Sequence, residues 1–104
     1  MLQIDKTQNG EDREVSVGES FEVRLAENPT TGYRWFLNAM GQPALTVEND
    51  LFEPSTAAVG GGGIRRWRFR AAHAGIASLV LDNKREWEAL AVDTFRLTVH
   101  VRPR

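Results

Sequence analysis

The strongest constraint on this chain is a two-residue alternation of apolar and polar side chains that recurs along most of its length. Phe21, Val23 and Leu25 alternate with Glu22, Arg24 and Ala26, and Trp67, Phe69 and Ala71 with Arg66, Arg68 and Arg70. Near the end, Phe95, Leu97, Val99 and Val101 alternate with Arg96, Thr98, His100 and Arg102. Successive side chains of an extended strand point to opposite faces, so each run predicts one face on a core and one in water. Turn signals cut the runs at short intervals: Asn9-Gly10, Gly18-Glu19, Asn28-Pro29, Gly41-Gln42-Pro43, Gly60 to Gly63 and Ala74-Gly75. Strands are predicted near residues 2–7, 13–17, 20–26, 33–39, 44–53, 65–72, 76–82 and 94–102. Seven to eight short strands in 104 residues predict an all-β chain folded as an antiparallel β-sandwich. No window carries a sustained helical stripe, and no repeat or linker divides the chain, so one domain over residues 1–104 is expected.

The expected core is Val17, Phe21, Val23, Leu25, Trp35, Leu45, Val47, Trp67, Phe69, Leu79, Leu81, Phe95, Leu97 and Val99. Apolar runs are only a few residues long, as in Ala77 to Leu81, far short of the roughly 20 needed to span a bilayer. Thirteen basic against 14 acidic residues give a net charge of -1, which argues against non-specific nucleic-acid binding. The row Arg66, Arg68 and Arg70, with Arg65 beside it, reads as the wet face of a strand that blunts a sheet edge. There is no cysteine, so neither a disulfide framework nor a thiolate metal site is expected. No cofactor is expected. The first residues lack an apolar leader segment, which reads as cytoplasmic as the sequence stands, or periplasmic or secreted if a signal peptide was removed.

Three connections exceed a minimal hairpin: Asn28 to Tyr33, Ser55 to Ile64, and Asn83 to Asp93. In the first, Asn28-Pro29-Thr30-Thr31-Gly32-Tyr33, proline fixes its own φ and drives Asn28 toward an extended conformation. Gly32 is free to take positive φ where the chain turns back. The result is a stiff polar tip suited to a narrow slot, although an ordinary turn anchored by Tyr33 and Trp35 reads the same way. The second, Val59-Gly60-Gly61-Gly62-Gly63-Ile64, permits close backbone approach to another molecule; no Gly-Lys-Ser/Thr follows it, which disfavours a phosphate cradle. A floppy hairpin is its plain alternative. The third, Lys84-Arg85-Glu86-Trp87-Glu88, sets an aromatic among charges, either as an interface anchor or folded onto the sandwich edge.

Taken together, the three segments resemble the chagasin-like family of cysteine peptidase inhibitors, which carries an Asn-Pro-Thr-Thr-Gly-aromatic loop, a Gly-x-Gly-Gly loop and an Arg-Pro-Trp loop in that order. The first matches in full at Asn28, Pro29, Thr30, Thr31, Gly32 and Tyr33, the second at Gly60, Gly62 and Gly63, and the third at Arg85 and Trp87. Glu86 stands where the family usually has proline, which removes a φ constraint. The resemblance implies an immunoglobulin-like sandwich whose three loops (28–33, 59–64 and 84–88) gather as a wedge. They would occlude the cleft of a papain-like cysteine peptidase in a reversible, tight complex, with Thr31 near the catalytic residues and Trp87 as anchor. The partner it implies is the peptidase; from charge and apolar-run length no nucleic acid and no membrane are expected, and as nothing in the sequence demands a dimer, a monomer is expected.

Two other readings compete. An enzyme is disfavoured because no serine has a nucleophile-elbow context, and His73 and His100 are isolated from further ligands. A non-inhibitory immunoglobulin-like protein-binding or adhesion module explains the strands but not three motifs in order.

Overall fold

The computed structural model describes residues 1–41, 43–55 and 61–104. Among the described residues eight strands follow one another: β1 (Leu2–Ile4), β2 (Asp12–Ser16), β3 (Ser20–Glu27), β4 (Tyr33–Ala39), β5 (Leu45–Pro54), β6 (Gly63–Ala71), β7 (Gly75–Arg85) and β8 (Asp93–Arg102). They form two four-stranded sheets, ordered β1-β3-β6-β5 and β2-β8-β7-β4, in an all-β, immunoglobulin-like sandwich. Most pairs are antiparallel, but β1 lies parallel to β3 and β2 parallel to β8. The expected antiparallel sandwich holds, with two parallel pairs added at its edges. Consecutive strands β1 and β2 enter different sheets, so no hairpin dictates the direction in which each joins its edge.

β1 ends sooner than the alternation suggests because Asp5 caps a 3-10 turn over Lys6–Gln8. Its carboxylate accepts the Thr7 amide at 2.9 Å, and the Gln8 side chain accepts the Asp5 amide at 2.8 Å. At the other extreme β7 runs on to Arg85, because Asn83 pairs with both Trp35 and Asp93 and Arg85 pairs with Tyr33. The predicted connection from Asn83 to Asp93 therefore shortens, and Lys84 and Arg85 belong to a strand.

Inward residues of β3, β6, β7 and β8 fill the space between the sheets, with Phe21, Phe69, Phe95, Leu79 and Leu81 wholly or almost wholly buried. Phe69 stacks on Phe21 at 5.5 Å and on Trp67 at 6.2 Å between ring centroids. Val47, expected in this core, is 39% exposed because β5 is an edge strand with a register shift between Val47 and Asn49. Val17 packs only at the margin, whereas Ile4, Val15, Ala71, Ala77 and Val101 complete the interior.

The basic row does not guard an edge, since β6 lies between β3 and β5. Arg65, Arg66 and Arg68 are met by carboxylates from neighbouring strands. Arg66 bonds through Nε to Glu22, whose Oε1 also accepts Arg24 Nε at 3.0 Å, and through Nη1 to Glu53 at 2.9 Å. The Arg66 hydrogen bond is the largest influence on Glu22 and holds its carboxyl below the usual value; burial opposes this, and Arg24 adds to the lowering. A carboxyl depressed by folding stabilises the native state above its unfolded pKa and loses that contribution as the pH falls through its folded value. The wild type should therefore exceed Glu22→Gln in stability most near neutral pH. Urea midpoints measured from pH 7 to 3 should show that gap closing below the ordinary glutamate value of 4.5. A gap independent of pH would deny Glu22 this role.

The strand directions set up the site. Glu27 at the end of β3 faces Gly63 at the start of β6, and Pro54 at the end of β5 faces the same Gly63. In the other sheet Tyr33 at the start of β4 faces Arg85 at the end of β7. The β3–β4, β5–β6 and β7–β8 connections consequently emerge at one rim.

Candidate functional site

The β3–β4 connection is a single 3-10 turn, Pro29–Thr31, tied by its own side chains. Asn28 is extended (φ -127°, ψ 96°), as the following proline requires, and its Oδ1 accepts the Thr30 amide at 3.1 Å and the Thr30 hydroxyl at 2.6 Å. The Thr31 hydroxyl donates to the Asn28 carbonyl at 2.7 Å and accepts the Tyr33 amide at 3.3 Å. Gly32 closes the turn at φ 82°, a conformation that favours glycine, with its amide on the Pro29 carbonyl at 3.0 Å. Pro29, Thr30 and Thr31 are exposed at the tip.

From the second segment, Gly60 and Val59 lie outside the described residues. The Ser55 amide donates to the Gly62 carbonyl at 3.1 Å, narrowing the base of the connection. Gly63 is within β6 rather than at a tip. A Cβ there would stand 2.3 Å from the Glu53 carbonyl oxygen and 2.7 Å from the Phe52 ring, so glycine is demanded by the close approach of β5. Gly61 has φ 85°, and a Cβ on it would meet Thr30 Cγ2 at 2.5 Å. This glycine, absent from the sequence-derived set, is where the second loop touches the first. A run of four glycines does not reveal which of them makes the contact.

The third segment is a β-turn closed by the Glu88 amide on the Arg85 carbonyl at 3.0 Å. Glu86 occupies its second position, where proline is favoured in such turns, and the Arg85–Glu88 ion pair at 3.2 Å reinforces the turn in its place. Arg85 also reaches the first loop. Its Nε lies 3.4 Å from the Thr31 carbonyl, and its guanidinium sits 4.4 Å from the Tyr33 ring centroid and 6.0 Å from that of Trp87. Trp87 is 75% exposed; it has not folded into the sandwich edge. Its ring edge comes within 3.5 Å of where a Cβ on Gly32 would lie.

Asn28, Thr31, Tyr33, Gly62, Gly63 and Val92 line a groove of about 450 Å³ between the three connections. Val92, 62% exposed, and Leu90, 82% exposed, are further apolar surface residues of the connection that carries Trp87. Sequence reasoning passed over both, since a short apolar run in a loop carries no periodic signal. Of the residues singled out from the sequence, all but Gly60 are described, and these converge on the rim.

The sandwich thus presents three abutting loops at one rim, one with a protruding tryptophan, the layout of a recognition surface. The chain belongs to the chagasin family: residues 14–99 match the model described as Chagasin family peptidase inhibitor I42. It is 32% identical to chagasin of Trypanosoma cruzi, over 95% of this chain and 94% of that protein. It is also 33% identical to amoebiasin-1 of Entamoeba histolytica, over 84% and 86% respectively. The crystal structure of the cysteine protease inhibitor EhICP2 from Entamoeba histolytica has the same fold, with a TM-score of 0.88 over 97% of this chain and 95% of that one, at 19% identity. The chain is thus a chagasin-like cysteine peptidase inhibitor and not an enzyme.

Proposed function

We propose that this protein inhibits papain-like cysteine peptidases as a monomer, reversibly and tightly, by seating its rim in the active-site cleft. Thr30 and Thr31 enter the catalytic centre, Gly61 and Gly62 lie along one wall, and Trp87 anchors the other. The observation that carries this reading is the convergence of Thr31, Gly62 and Arg85 on one groove and its border, with Trp87 standing free beside them. An interface of the standard size, roughly 1,600 Å², is expected.

The turn geometry supplies the reason for survival in the cleft. Attack by a catalytic thiolate needs a carbonyl carbon at about 3–3.5 Å with aligned orbitals. Here the Asn28 carbonyl accepts Thr31, the Pro29 carbonyl accepts Gly32, and the Thr31 carbonyl faces Arg85. These bonds hold the tip as a closed turn, so no peptide bond is offered in an extended, cleavable form. Affinity then follows from preorganisation, which limits the ordering cost of binding. The β6 arginines Arg66 and Arg68 are engaged by Glu22, Glu53 and Glu48, which supports a role apart from nucleic acid.

The test is competitive inhibition of papain. The wild type is expected to block turnover at sub-micromolar concentration. Thr31→Ala, which removes two hydrogen bonds and the tip hydroxyl, is expected to weaken inhibition about tenfold, or ~1.4 kcal/mol, while the domain melts as before. Failure of the wild type to inhibit papain would remove the proposal.

A further inference from the structure

Beneath the rim lies a charged group that the three-loop account does not use. The Glu27 side chain, at the last position of β3, is fully buried, and Arg65 on β6 is only 12% exposed. Both nitrogens of one edge of the Arg65 guanidinium reach the same carboxylate oxygen: Nη2 at 2.8 Å and Nε at 2.9 Å from Glu27 Oε2. The other oxygen, Oε1, accepts the backbone amide of Trp35 at 2.6 Å. Arg65 Nη1 continues to Asp50 Oδ1 on β5 at 3.2 Å, and Asp50 Oδ2 faces Arg34 Nη2 on β4 at 3.7 Å. The Arg65 guanidinium also lies 5.7 Å from the Phe52 ring centroid.

The placement of these partners matters more than their number. Glu27 and Trp35 flank the Asn28–Tyr33 loop on its two sides, and the loop crosses from one sheet to the other. Ladder hydrogen bonds fix β3 against β6, and β4 against β7, but no ladder joins β3 to β4. The Glu27–Trp35 bond makes that link, supported by Trp35 Nε1 donating to the Ala26 carbonyl at 2.9 Å. Arg65 stands two residues after Gly63, and Glu27 is the register partner of Gly63 itself. One buried carboxylate therefore touches both feet of the first loop and is held by the foot of the second. A buried ion pair is weak evidence of net stability, because desolvation offsets the attraction, and a well-packed apolar pair is often as stable. What it supplies is directional geometry.

We infer that Glu27 and Arg65 are positioning residues, an ionic clasp that holds the Thr30–Thr31 tip and the Gly61–Gly62 turn in fixed relation so that they engage the peptidase as one unit. The effect on inhibition rests on the reading given above; the clasp itself is a property of the free protein. Removing one partner strands a buried charge, so Glu27→Gln and Arg65→Met should each lower the melting temperature. The double variant Glu27→Gln/Arg65→Met strands no fully buried charge, since Asp50 is part-exposed and still faces Arg34 at 3.7 Å, and is expected to recover most of that loss.

Its loops are the discriminating measurement. The 15N order parameters at Thr30, Thr31 and Gly61 to Ile64 are expected to fall together in the double variant, and inhibition of papain to stay about tenfold weaker despite the recovered stability. Arg65→Lys, which keeps the charge but not the two-nitrogen grip, should fold and show the same joint loosening to a lesser degree. Loops as ordered as in the wild type in both variants, with inhibition restored alongside stability, would reduce the pair to a structural one and overturn the inference. Should the double variant not fold, Arg65→Lys decides by the same criterion. If the wild type leaves papain unaffected, the inhibitory reading falls, and the order parameters of the free protein still decide whether the clasp couples the loops.

Discussion

Trp87→Ala is expected to weaken inhibition of papain by about 30-fold or more, equivalent to ~2 kcal/mol or above, with little change in melting temperature. The separation of the two effects follows from geometry. At 75% exposure the indole contributes little apolar burial to the free fold, and its neighbours are Arg85 and Gly32 at the rim rather than the core. In a complex the same surface becomes the largest apolar group available for desolvation, and tryptophan is the residue type most often found to dominate an interface. Leu90 and Val92, exposed in the same connection, would then add apolar surface to the contact. Measuring the inhibition constant together with thermal unfolding checks both halves. A parallel loss of stability would make Trp87 a structural residue, and unchanged inhibition would remove it from the interface.

Phe69→Ala is expected to lower unfolding free energy by about 3–5 kcal/mol, a large part of the roughly 5–15 kcal/mol that a small domain holds. Phe69 is fully buried at the centre of β6 and contacts two rings, those of Phe21 and Trp67. Its removal leaves a cavity that two hydrogen-bonded neighbouring strands prevent from collapsing. Urea unfolding, with the slope compared to wild type, gives the measurement. A change below ~1 kcal/mol would place the mechanical centre of the sandwich elsewhere. Together the two substitutions divide the molecule: one removes binding without unfolding it, and the other threatens the fold without touching the rim.

Most of the strand set was legible because one-faced alternation encodes burial directly, as β3, β6 and β8 show. Alternation says which face is buried but not which strand lies alongside, so the parallel pairing of β1 and β2 and the interior place of the arginine row in β6 stayed hidden. β5 misled because an edge strand with a register shift buries little of either face, which exposes Val47. At the rim, the Asn-Pro-Thr-Thr-Gly segment was readable down to its backbone angles, since proline and glycine restrict φ locally. The roles of Gly61 and Glu27 were not. Each depends on a contact between segments distant along the chain, and a glutamate closing a strand looks like any solvated charge until its partner on β6 is known.

The two poles of the sandwich are fastened in different ways. Away from the rim, connections are stitched by main-chain bonds: Gly18 amide to Ala71 carbonyl at 2.8 Å, Ala71 amide to Glu19 carbonyl at 2.8 Å, and Ala72 amide to Ala44 carbonyl at 2.7 Å. Such bonds are indifferent to side-chain identity. At the rim main-chain bonds close each turn, but neighbouring loops meet through side chains, as Arg85 on the Thr31 carbonyl and Thr30 against Gly61, so their relative placement is open to change by substitution. A chain built this way can acquire a new target by altering few positions, without first having to learn to fold again.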